Sequence, residues 1–576
     1  MLAGRPAFVR DVDEAGALAQ FAGAIEQQSD PFAAVRGARR LAYRSPLDGH
    51  PSTFALYAPA RLEPGKRYPL VVALHGLNGR PMNMLRWAFG RDDPGHDGEW
   101  EDRHPGDFPD YPAFVVAPMA HFNSMYRHAA EDDVMAVTDW VSRTFPVDPR
   151  KVSITGPSMG GTGTAWVGLR FADRFAAAAP LCGYHFNYFL RAPGEFARLH
   201  PWEQHQAEER STVSWAPNGL HLPLYIVHGT RDLPEENSGV LIDRYKQLGY
   251  GLLEEHPDEG HNVWQPTYEN LKGLGWLTGP TRPSDPNRVV LRTDSLRYDH
   301  ADWVRIARLE RSSAWGEVSA QRRTRGAGRA YEVRTAGVAA FELTPPTSGS
   351  SIQVTVDGAR IELADGEPMA FERRAGRWER GLTPPGPGLH KRARLAGPLR
   401  DVHHEPLVLV YGTADPALTR ANEQVARWFG SIRPGFEIDY PVVADTALTD
   451  EMARGKALVL VGGAQSNLVT RRLDDRLPIH VTTSPRRVQA GARTFTGDEL
   501  GAAFVFPNPE QPDRYVVVLA GADVAGTLRA MSLPDFLPDF VVYDRSLAPA
   551  RGQMVLGRAT PLAAGLFDEH WTLPSP

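Results

Sequence analysis

The fold of this chain is set by the stretch Val152-Ser153-Ile154-Thr155-Gly156-Pro157-Ser158-Met159-Gly160-Gly161. A short β-branched run leads into Gly-x-Ser-x-Gly, and a helix-compatible segment follows at residues 162–171. This strand–turn–helix order is the context in which a serine is presented on a tight turn, with glycines where a Cβ would clash. A Gly/Ser-rich structural turn is the alternative, so the rest of the sequence is needed to distinguish the two.

Apolar runs typical of buried strands lie on both sides of this stretch. The predicted strands span residues 53–57, 68–74, 113–118, 175–181, 222–229 and 252–255, and a helix is predicted over residues 131–145. Strands that alternate with helices favour a mainly parallel sheet with helices on both faces. The sequence therefore predicts an α/β domain over residues 1–283, with an amphipathic helical segment near its start at residues 13–28.

Two Pro/Gly-rich linkers, at residues 278–286 and 383–388, divide the rest of the chain. Residues 284–388 contain short alternating strands without strong helical periods, which predicts a small β-sandwich-like domain. From residue 406 onward buried strands and amphipathic helices return. We therefore expect a C-terminal α/β domain over residues 389–576. No internal repeat of 20–50 residues is found, which argues against a β-propeller or a solenoid.

The overall charge and composition exclude several kinds of partner. The chain has 576 residues, of which 42% are hydrophobic and 23% charged, and its formal net charge is −6. Nucleic acid and anionic membranes are therefore not expected partners, and no apolar run reaches the roughly 20 residues of a membrane span. The start of the chain shows no signal-peptide pattern, so we expect a cytoplasmic protein, or a secreted one whose signal has been removed. The sequence leaves the oligomeric state open.

The sequence predicts no cofactor and no metal. Its single cysteine, Cys182, rules out an internal disulfide and a Cys-based metal cluster. His403-His404-Glu405 lacks a second ligand cluster at a suitable spacing, so an exposed linker is expected there. Val461-Gly462-Gly463-Ala464-Gln465-Ser466-Asn467 is predicted to be a structural turn, since it matches a dinucleotide or phosphate fingerprint poorly. The densest basic patch, Arg322-Arg323-Thr324-Arg325, is predicted to be a solvated loop.

A serine hydroxyl becomes a nucleophile only when a base takes its proton and a carboxylate orients that base. The predicted strand at residues 222–229 leads into Thr230-Arg231-Asp232, which places Asp232 on a loop after a buried strand. His261 lies in a polar turn after the strand at residues 252–255. Ser158, Asp232 and His261 thus occur in the order nucleophile, acid, base.

Alternatives stay open for two of these three positions. Glu235 and Glu236 follow Asp232 closely and are alternative acids. His256 lies nearer to the end of its strand than His261 and is the competing base.

The site also needs two backbone N–H groups to bind the oxyanion of a tetrahedral intermediate. One is expected from Met159, directly after Ser158. The other is expected from the loop at residues 75–79, most directly from Leu77 with Gly76 beside it.

Over residues 40–280 the chain resembles the α/β-hydrolase superfamily, specifically the prolyl-oligopeptidase-like and polyhydroxybutyrate-depolymerase-like esterases. The matching motifs are Leu74-His75-Gly76, Asp133-Val134-Met135 with Trp140, Asp148-Pro149-Arg150-Lys151-Val152, Gly156-Pro157-Ser158-Met159-Gly160-Gly161, His228-Gly229-Thr230-Arg231-Asp232 and Glu259-Gly260-His261-Asn262. The resemblance implies a catalytic triad of Ser158, Asp232 and His261. It thereby implies the α/β-hydrolase fold for the first domain.

An aromatic segment at residues 184–215 leaves the predicted sheet close to this site. Its aromatic residues include Tyr184, Phe186, Tyr188, Phe189, Trp202 and Trp215. One interpretation is a lid, with Cys182, Tyr184 and Phe186 lining the substrate pocket. A packed helical hairpin is the other.

The function that these residues favour is hydrolysis of carboxylic esters through an acyl-enzyme on Ser158. The substrate would be a small molecule, a polymeric ester or a peptide. A serine peptidase is the first alternative and an acyl-transfer or thioesterase-type enzyme is the second. A binding protein that keeps only the hydrolase shape is the third.

Overall fold

The structure is a computed structural model that describes residues 19–91, 107–186, 194–232, 236–325, 328–344, 352–363, 368–431, 438–547, 554–557 and 559–574. Its first region contains an eight-stranded sheet with the order β1-β2-β4-β3-β5-β6-β7-β8. The strands are β1 Gly37–Arg44, β2 Pro51–Ala58, β3 Tyr68–Ala73, β4 Phe114–Pro118, β5 Val147–Pro157, β6 Ala177–Leu181, β7 Leu224–Val227 and β8 Leu252–Glu255. From β4 to β8 all neighbours are parallel, whereas β1 and β2 pair antiparallel at one edge.

Helices cover both faces of this sheet, because its central strands β3, β4 and β6 are apolar throughout. The α-helices are Pro81–Ala88, Ala129–Thr144, Met159–Arg170, Pro201–Glu209, Glu236–Leu248, Trp264–Tyr268 and Lys272–Thr278. Val72 and Ile154 pack into one apolar cluster, and Val71 and Ala179 pack into another. The predicted α/β fold of the first domain is therefore confirmed. Of the predicted helix at residues 13–28, the structure describes residues 19–26 as helical.

The register of the parallel strands aligns their carboxyl ends at one edge of the sheet. Pro157 pairs with Leu181, Leu181 with Val227, and Val227 with Glu255. The segments that follow β5, β6, β7 and β8 consequently meet at this edge. In open α/β sheets this edge is where ligands bind.

The second region consists of two five-stranded sheets, β10-β11-β14-β17-β18 and β16-β15-β13-β12-β9. The strands are β9 Arg288–Thr293, β10 His300–Ala301, β11 Val304–Leu309, β12 Gly316–Arg325, β13 Gly328–Ala336, β14 Val338–Leu343, β15 Ile352–Val356, β16 Ala359–Leu363, β17 Ala370–Arg374 and β18 Arg377–Arg380. Trp303, Phe341 and Val354 share one core between them. The solvated loop predicted at residues 322–325 is wrong, since these residues end β12, where Arg322 lies over the Trp303 ring.

The third region is a seven-stranded sheet, β20-β19-β21-β26-β25-β27-β28, beside a small sheet of β22-β23-β24. The strands are β19 Leu407–Tyr411, β20 Val442–Ala444, β21 Ala457–Val461, β22 Ile479–Thr483, β23 Arg486–Ala490, β24 Arg493–Phe495, β25 Gly501–Asn508, β26 Gln511–Gly521, β27 Phe540–Tyr543 and β28 Ala563–Gly565. The α-helices are Thr419–Gly430, Asp450–Ala453, Leu468–Leu473 and Val524–Arg529. β20, β19, β21 and β26 are parallel neighbours, and the remaining strands of the large sheet pair antiparallel.

The exposed linker predicted at His403-His404-Glu405 is wrong. His403 and His404 end the 3-10 helix Leu399–His404, and both His403 and Glu405 are buried. His404 Nδ1 lies 2.9 Å from Asp132 Oδ2 in the helix Ala129–Thr144. The first and third regions pack against each other here, and this contact removes the three polar side chains from water.

The segment after residue 194 joins all three regions instead of standing free. The helix Pro201–Glu209 contacts the second region through His205 Nε2, which lies 3.1 Å from Asp294 Oδ2. Directly after the helix, Arg210 donates to Asp535 of the third region at 3.0 Å. A cavity of about 1180 Å³ lies where the three regions meet, lined in part by Trp166, Trp202 and Arg297.

Among the residues that the structure describes, none of the helices combines the length and the apolarity that a membrane crossing requires.

Candidate active site

Ser158 lies on the turn between β5 and the helix Met159–Arg170, with φ 57° and ψ −118°. This left-handed conformation is rare for a residue with a Cβ and stores strain at the turn. The turn lies so close to the Leu74 carbonyl oxygen that a Cβ at Gly156 would be 2.3 Å from it and a Cβ at Gly160 would be 2.0 Å from it. Both positions therefore require glycine. Ser158 is the N-cap residue of the helix, yet its side chain makes no capping hydrogen bond. The hydroxyl is consequently free to face another group.

That group is His261, whose Nε2 lies 2.8 Å from Ser158 Oγ. On the other side of the ring, His261 Nδ1 lies 2.8 Å from Asp232 Oδ2. A neutral imidazole that donates from Nδ1 and accepts at Nε2 satisfies both contacts. The side chain of Asp232 is 13% exposed and that of His261 is 45% exposed. The structure thus brings together the three side chains that the sequence predicted, with the ring open to solvent.

The loops that carry Asp232 and His261 are held against each other by their backbones. Thr230 N donates to Pro257 O, and Arg231 N donates to Glu259 O, each at 2.9 Å. A Cβ at Gly229 would lie 2.3 Å from Gly260 O, so glycine is required for this approach. The acid and the base are therefore positioned as one unit.

Sequence reasoning missed a supporting role for His228. Its ring is buried, with Nε2 2.9 Å from the Asp232 carbonyl oxygen and Nδ1 2.9 Å from Ser238 Oγ. These contacts fix the backbone of the acid directly after β7. The position of His228 within the predicted motif was the only signal available.

Of the alternatives considered from the sequence, His256 is exposed at the end of β8, while His261 is the histidine that contacts Ser158. Glu235 and the side chain of Glu236 lie outside the described residues.

The loop predicted to supply an oxyanion donor lies beside the nucleophile. A Cβ built on Gly76 would lie 3.8 Å from Ser158 Cβ, so the two backbones are neighbours. The side chain of Leu77 is 59% exposed. Met159 is the first residue of its helix, and N–H groups of a first turn have no intrahelical acceptor. Both predicted donors thus belong to segments that adjoin Ser158.

The loop that follows β4 contacts the loop at residues 75–79 and holds it in place. The sequence did not predict this contact. Asn123 Oδ1 accepts from Asn78 N at 2.7 Å, and Asn123 Nδ2 donates to Asn78 Oδ1 at 2.8 Å. Tyr126 OH donates to the His75 carbonyl oxygen at 2.8 Å. Ala120 in the same loop donates its N–H to Asp133 Oδ2 at 3.0 Å, and burial raises the pKa of Asp133 to about 7. No local sequence pattern predicts such contacts, because they depend on how two loops approach each other.

The three residues predicted to line the substrate pocket occupy different environments. Tyr184 is 43% exposed, and its N–H donates to Thr162 Oγ1 in the first turns of the nucleophile helix. Phe186 is partly exposed. Cys182 is only 3% exposed, so it offers a substrate almost no surface, and burial raises the pKa of its thiol. Its placement in the pocket lining is therefore corrected: the thiol is buried close to Asp232 and His261.

The lid interpretation fails for Trp202 and Trp215. Trp215 is fully buried against Tyr298 and Trp315, at ring-centroid distances of 5.3 and 5.1 Å. Trp202 packs against the apolar core of the third region. The packed alternative describes this part of the segment, because Trp215 is buried and Trp202 is partly buried where the regions join. Tyr188 and Phe189 lie outside the described residues.

Part of the chain matches a known protein family. Residues 120–274, which include Ser158, Asp232 and His261, match the Prolyl oligopeptidase family. The first domain is a serine hydrolase with the α/β-hydrolase fold. An uncharacterized secreted protein of Arthroderma benhamiae is 23% identical to this chain over 453 residues, which cover 73% of this chain and 46% of that protein.

Two further proteins are similar to shorter parts of the chain. The uncharacterized peptidase YuxL of Bacillus subtilis is 28% identical over 167 residues, covering 26% of this chain and 24% of that protein. The S-formylglutathione hydrolase FrmB of Staphylococcus aureus is 19% identical, covering 42% of this chain and 99% of that chain, with a TM-score of 0.32. The chain spans less than half the length of the curated relatives that it matches.

Proposed function

We propose that this protein hydrolyses carboxylic esters through an acyl-enzyme on Ser158. One observation carries the proposal: the His261 ring lies 2.8 Å from Ser158 Oγ on one side and 2.8 Å from the Asp232 carboxylate on the other. This arrangement converts a hydroxyl into a nucleophile at neutral pH.

In the first half of the reaction, His261 Nε2 takes the Ser158 proton as Oγ attacks the ester carbonyl carbon. Asp232 holds the proton on Nδ1 and stabilises the imidazolium that forms. The imidazolium then protonates the leaving alcohol, and the acyl group stays on Ser158. In the second half, His261 takes a proton from water as the water oxygen attacks the acyl carbonyl carbon. The imidazolium then returns a proton to Ser158 Oγ as the acid leaves.

The tetrahedral intermediates carry a negative charge on the former carbonyl oxygen. We assign its stabilisation to the N–H groups of Met159 and of Leu77, with Gly76 beside it. The support is the position of Gly76 against Ser158 and the free first turn of the helix. The Asn78–Asn123 pair holds the Leu77 loop in place.

The surface around the nucleophile favours an ester with an apolar acyl group. Leu77 and Tyr184 present exposed apolar surface on the segments that adjoin Ser158. Exposed apolar side chains at a catalytic edge are suited to contact a substrate. The exposed His261 ring leaves room for a leaving alcohol of variable size.

A peptidase is the second candidate, and the comparisons favour it. The match to the Prolyl oligopeptidase family covers the triad, and the similar YuxL protein is named a peptidase. The same three side chains cleave amides when the imidazolium protonates the leaving amine.

Turnover of two chromogenic substrate series separates the candidates. We expect p-nitrophenyl esters of several acyl lengths to be hydrolysed with higher kcat/KM than a panel of peptide p-nitroanilides. Ser158→Ala serves as the matched control for background hydrolysis. Higher kcat/KM on a peptide anilide than on every ester would overturn the ester assignment and support the peptidase.

A further inference from the structure

Three side chains at the catalytic edge form a group that the proposed hydrolysis does not fully use. Cys182, Asp232 and His261 each place one potential ligand atom, a sulfur, an oxygen and a nitrogen, within 4.8 Å of the other two. They follow β6, β7 and β8, which are adjacent parallel strands with aligned carboxyl ends. The arrangement of the strands in the sheet therefore brings these three atoms close together.

We propose that Cys182, Asp232 and His261 bind one Zn²⁺ ion and that the bound ion switches the hydrolase off. Thiolate sulfur, imidazole nitrogen and carboxylate oxygen are the three ligand types that Zn²⁺ takes in proteins. With three protein ligands, the fourth tetrahedral position stays open to water or to Ser158 Oγ.

The spacing requires only a modest adjustment. Zn–ligand distances of roughly 2.0–2.3 Å place tetrahedral ligand atoms roughly 3.3–3.7 Å apart. His261 Nδ1 and Asp232 Oδ2 are now 2.8 Å apart and must separate slightly, while the three potential ligand atoms already lie within 4.8 Å of one another. The 45% exposed ring of His261 stands in a polar turn, which gives it room to move and gives the ion a path from solvent.

The ligand set also selects among cations. A thiolate favours Zn²⁺ and Cd²⁺, whereas Mg²⁺ and Ca²⁺ take oxygen ligands. Cys182 is the only cysteine in the chain, so a sulfur–metal bond in this protein reports on this position alone.

Binding and inhibition follow from proton positions. The ion replaces the thiol proton of Cys182, which passes to water. It also binds the Nδ1 lone pair of His261, so the proton that Nδ1 carried is exchanged through water for one on Nε2, with no net release from the ring. The neutral ring then carries its one proton on Nε2, the atom that faces Ser158 Oγ. A protonated Nε2 donates to the hydroxyl and has no lone pair to take its proton, so Ser158 loses its base. The binding is independent of the proposed function, and only the inhibition rests on it.

A Cd²⁺ titration of the full chain tests the binding directly. We expect a sulfur-to-cadmium charge-transfer band in the ultraviolet that saturates at one ion per protein. Cys182→Ser, which nearly keeps the side-chain volume, should show no band. Asp232→Asn keeps the sulfur but loses a charged ligand, and should need at least about tenfold more Cd²⁺. Absence of the band in the natural protein would overturn the proposal, and so would an unchanged titration of Asp232→Asn.

Inhibition by Zn²⁺ supplies the second arm. We expect Zn²⁺ to stop p-nitrophenyl ester turnover of the natural protein, EDTA to restore it, and Mg²⁺ to have no effect. The inhibitory concentration for Cys182→Ser, referred to that variant's own turnover, should rise at least about tenfold. Equal Zn²⁺ sensitivity of the two proteins would overturn the switch. A saturating Cd²⁺ band in a protein without ester turnover would uphold the metal site and reject the proposed function.

Discussion

Ser158 in the first domain and Asn467 in the third stand at the same kind of junction, between a parallel strand and a helix N-terminus. Asn467 Oδ1 accepts from Val469 N and Thr470 N, and its Nδ2 donates to Val410 O and Val461 O. Ser158 makes no capping bond, and its hydroxyl faces His261 instead. One polar residue is fully engaged in holding its fold, and the other is left available for chemistry.

The backbone conformations of Ser158 and Asn467 also differ. Asn467 has an ordinary extended conformation, with φ −128° and ψ 122°, whereas Ser158 has φ 57°. Strain combined with an uncapped hydroxyl lowers stability locally and is tolerated where a site needs it. Two junctions with the same topology can therefore be told apart by how their polar residue is bonded.

The largest effect that sharpens this comparison is expected from Ser158→Ala. Loss of the nucleophile should lower kcat on a p-nitrophenyl ester by about 10⁶-fold. The melting temperature should not fall, because the hydroxyl caps nothing. Ester kinetics and a thermal melt of the same preparation measure both, and a marked loss of stability would mean that Ser158 is a structural cap after all.

Asp232→Asn comes next in size. The amide keeps the shape of the side chain but no longer fixes the His261 proton on Nδ1, so kcat should fall by about 10⁴-fold. Steady-state kinetics against the natural protein check this. Near-normal turnover would transfer the acid to Glu235 or Glu236.

Asn123→Ala should have an intermediate effect, because it acts on the oxyanion loop and not on a reacting atom. We expect kcat to fall by about 10–100-fold, less than the loss of a donor itself, with little change in KM. Asn123→Asp, which keeps the acceptor for Asn78 N, should recover part of the loss. If kcat is unchanged while the melting temperature falls, the pair is only structural.

Asn467→Ala is the counterpart of Ser158→Ala in the third domain. Removal of a buried cap that makes four hydrogen bonds should lower the free energy of unfolding by about 2 kcal/mol or more. Ester turnover at a temperature where the variant stays folded should be unchanged. A lower kcat would show that the third domain influences Ser158.

The smallest expected effect is on the pH dependence of stability. It concerns Asp133, whose carboxylate accepts from Ala120 N in the loop that follows β4. Burial raises the pKa of this carboxyl to about 7 in the folded protein, above its ordinary value. The folded state therefore holds a proton that the unfolded state releases, and this contribution to stability is lost as pH rises through 7. The melting temperature of the natural protein should be lower at pH 8 than at pH 5, and this difference should be smaller for Asp133→Asn. An identical pH dependence would contradict the burial argument.

The sequence was sufficient to predict the features of the site that follow from the order of strands and loops along the chain. Ser158, Asp232 and His261 each follow a parallel strand, and parallel strands end at one edge, so their meeting could be predicted. The contacts of Asn123 and His228 could not, since they depend on how two loops approach each other. His403 was misassigned for a related reason, because its burial arises from packing between regions that are distant in the chain.

The availability of the Ser158 hydroxyl is the central claim, and a fluorophosphonate probe measures it most directly. We expect the folded protein to form one adduct, located at Ser158 by peptide mass spectrometry, and Ser158→Ala to form none. A folded protein that stays unlabelled at Ser158 would contradict the account.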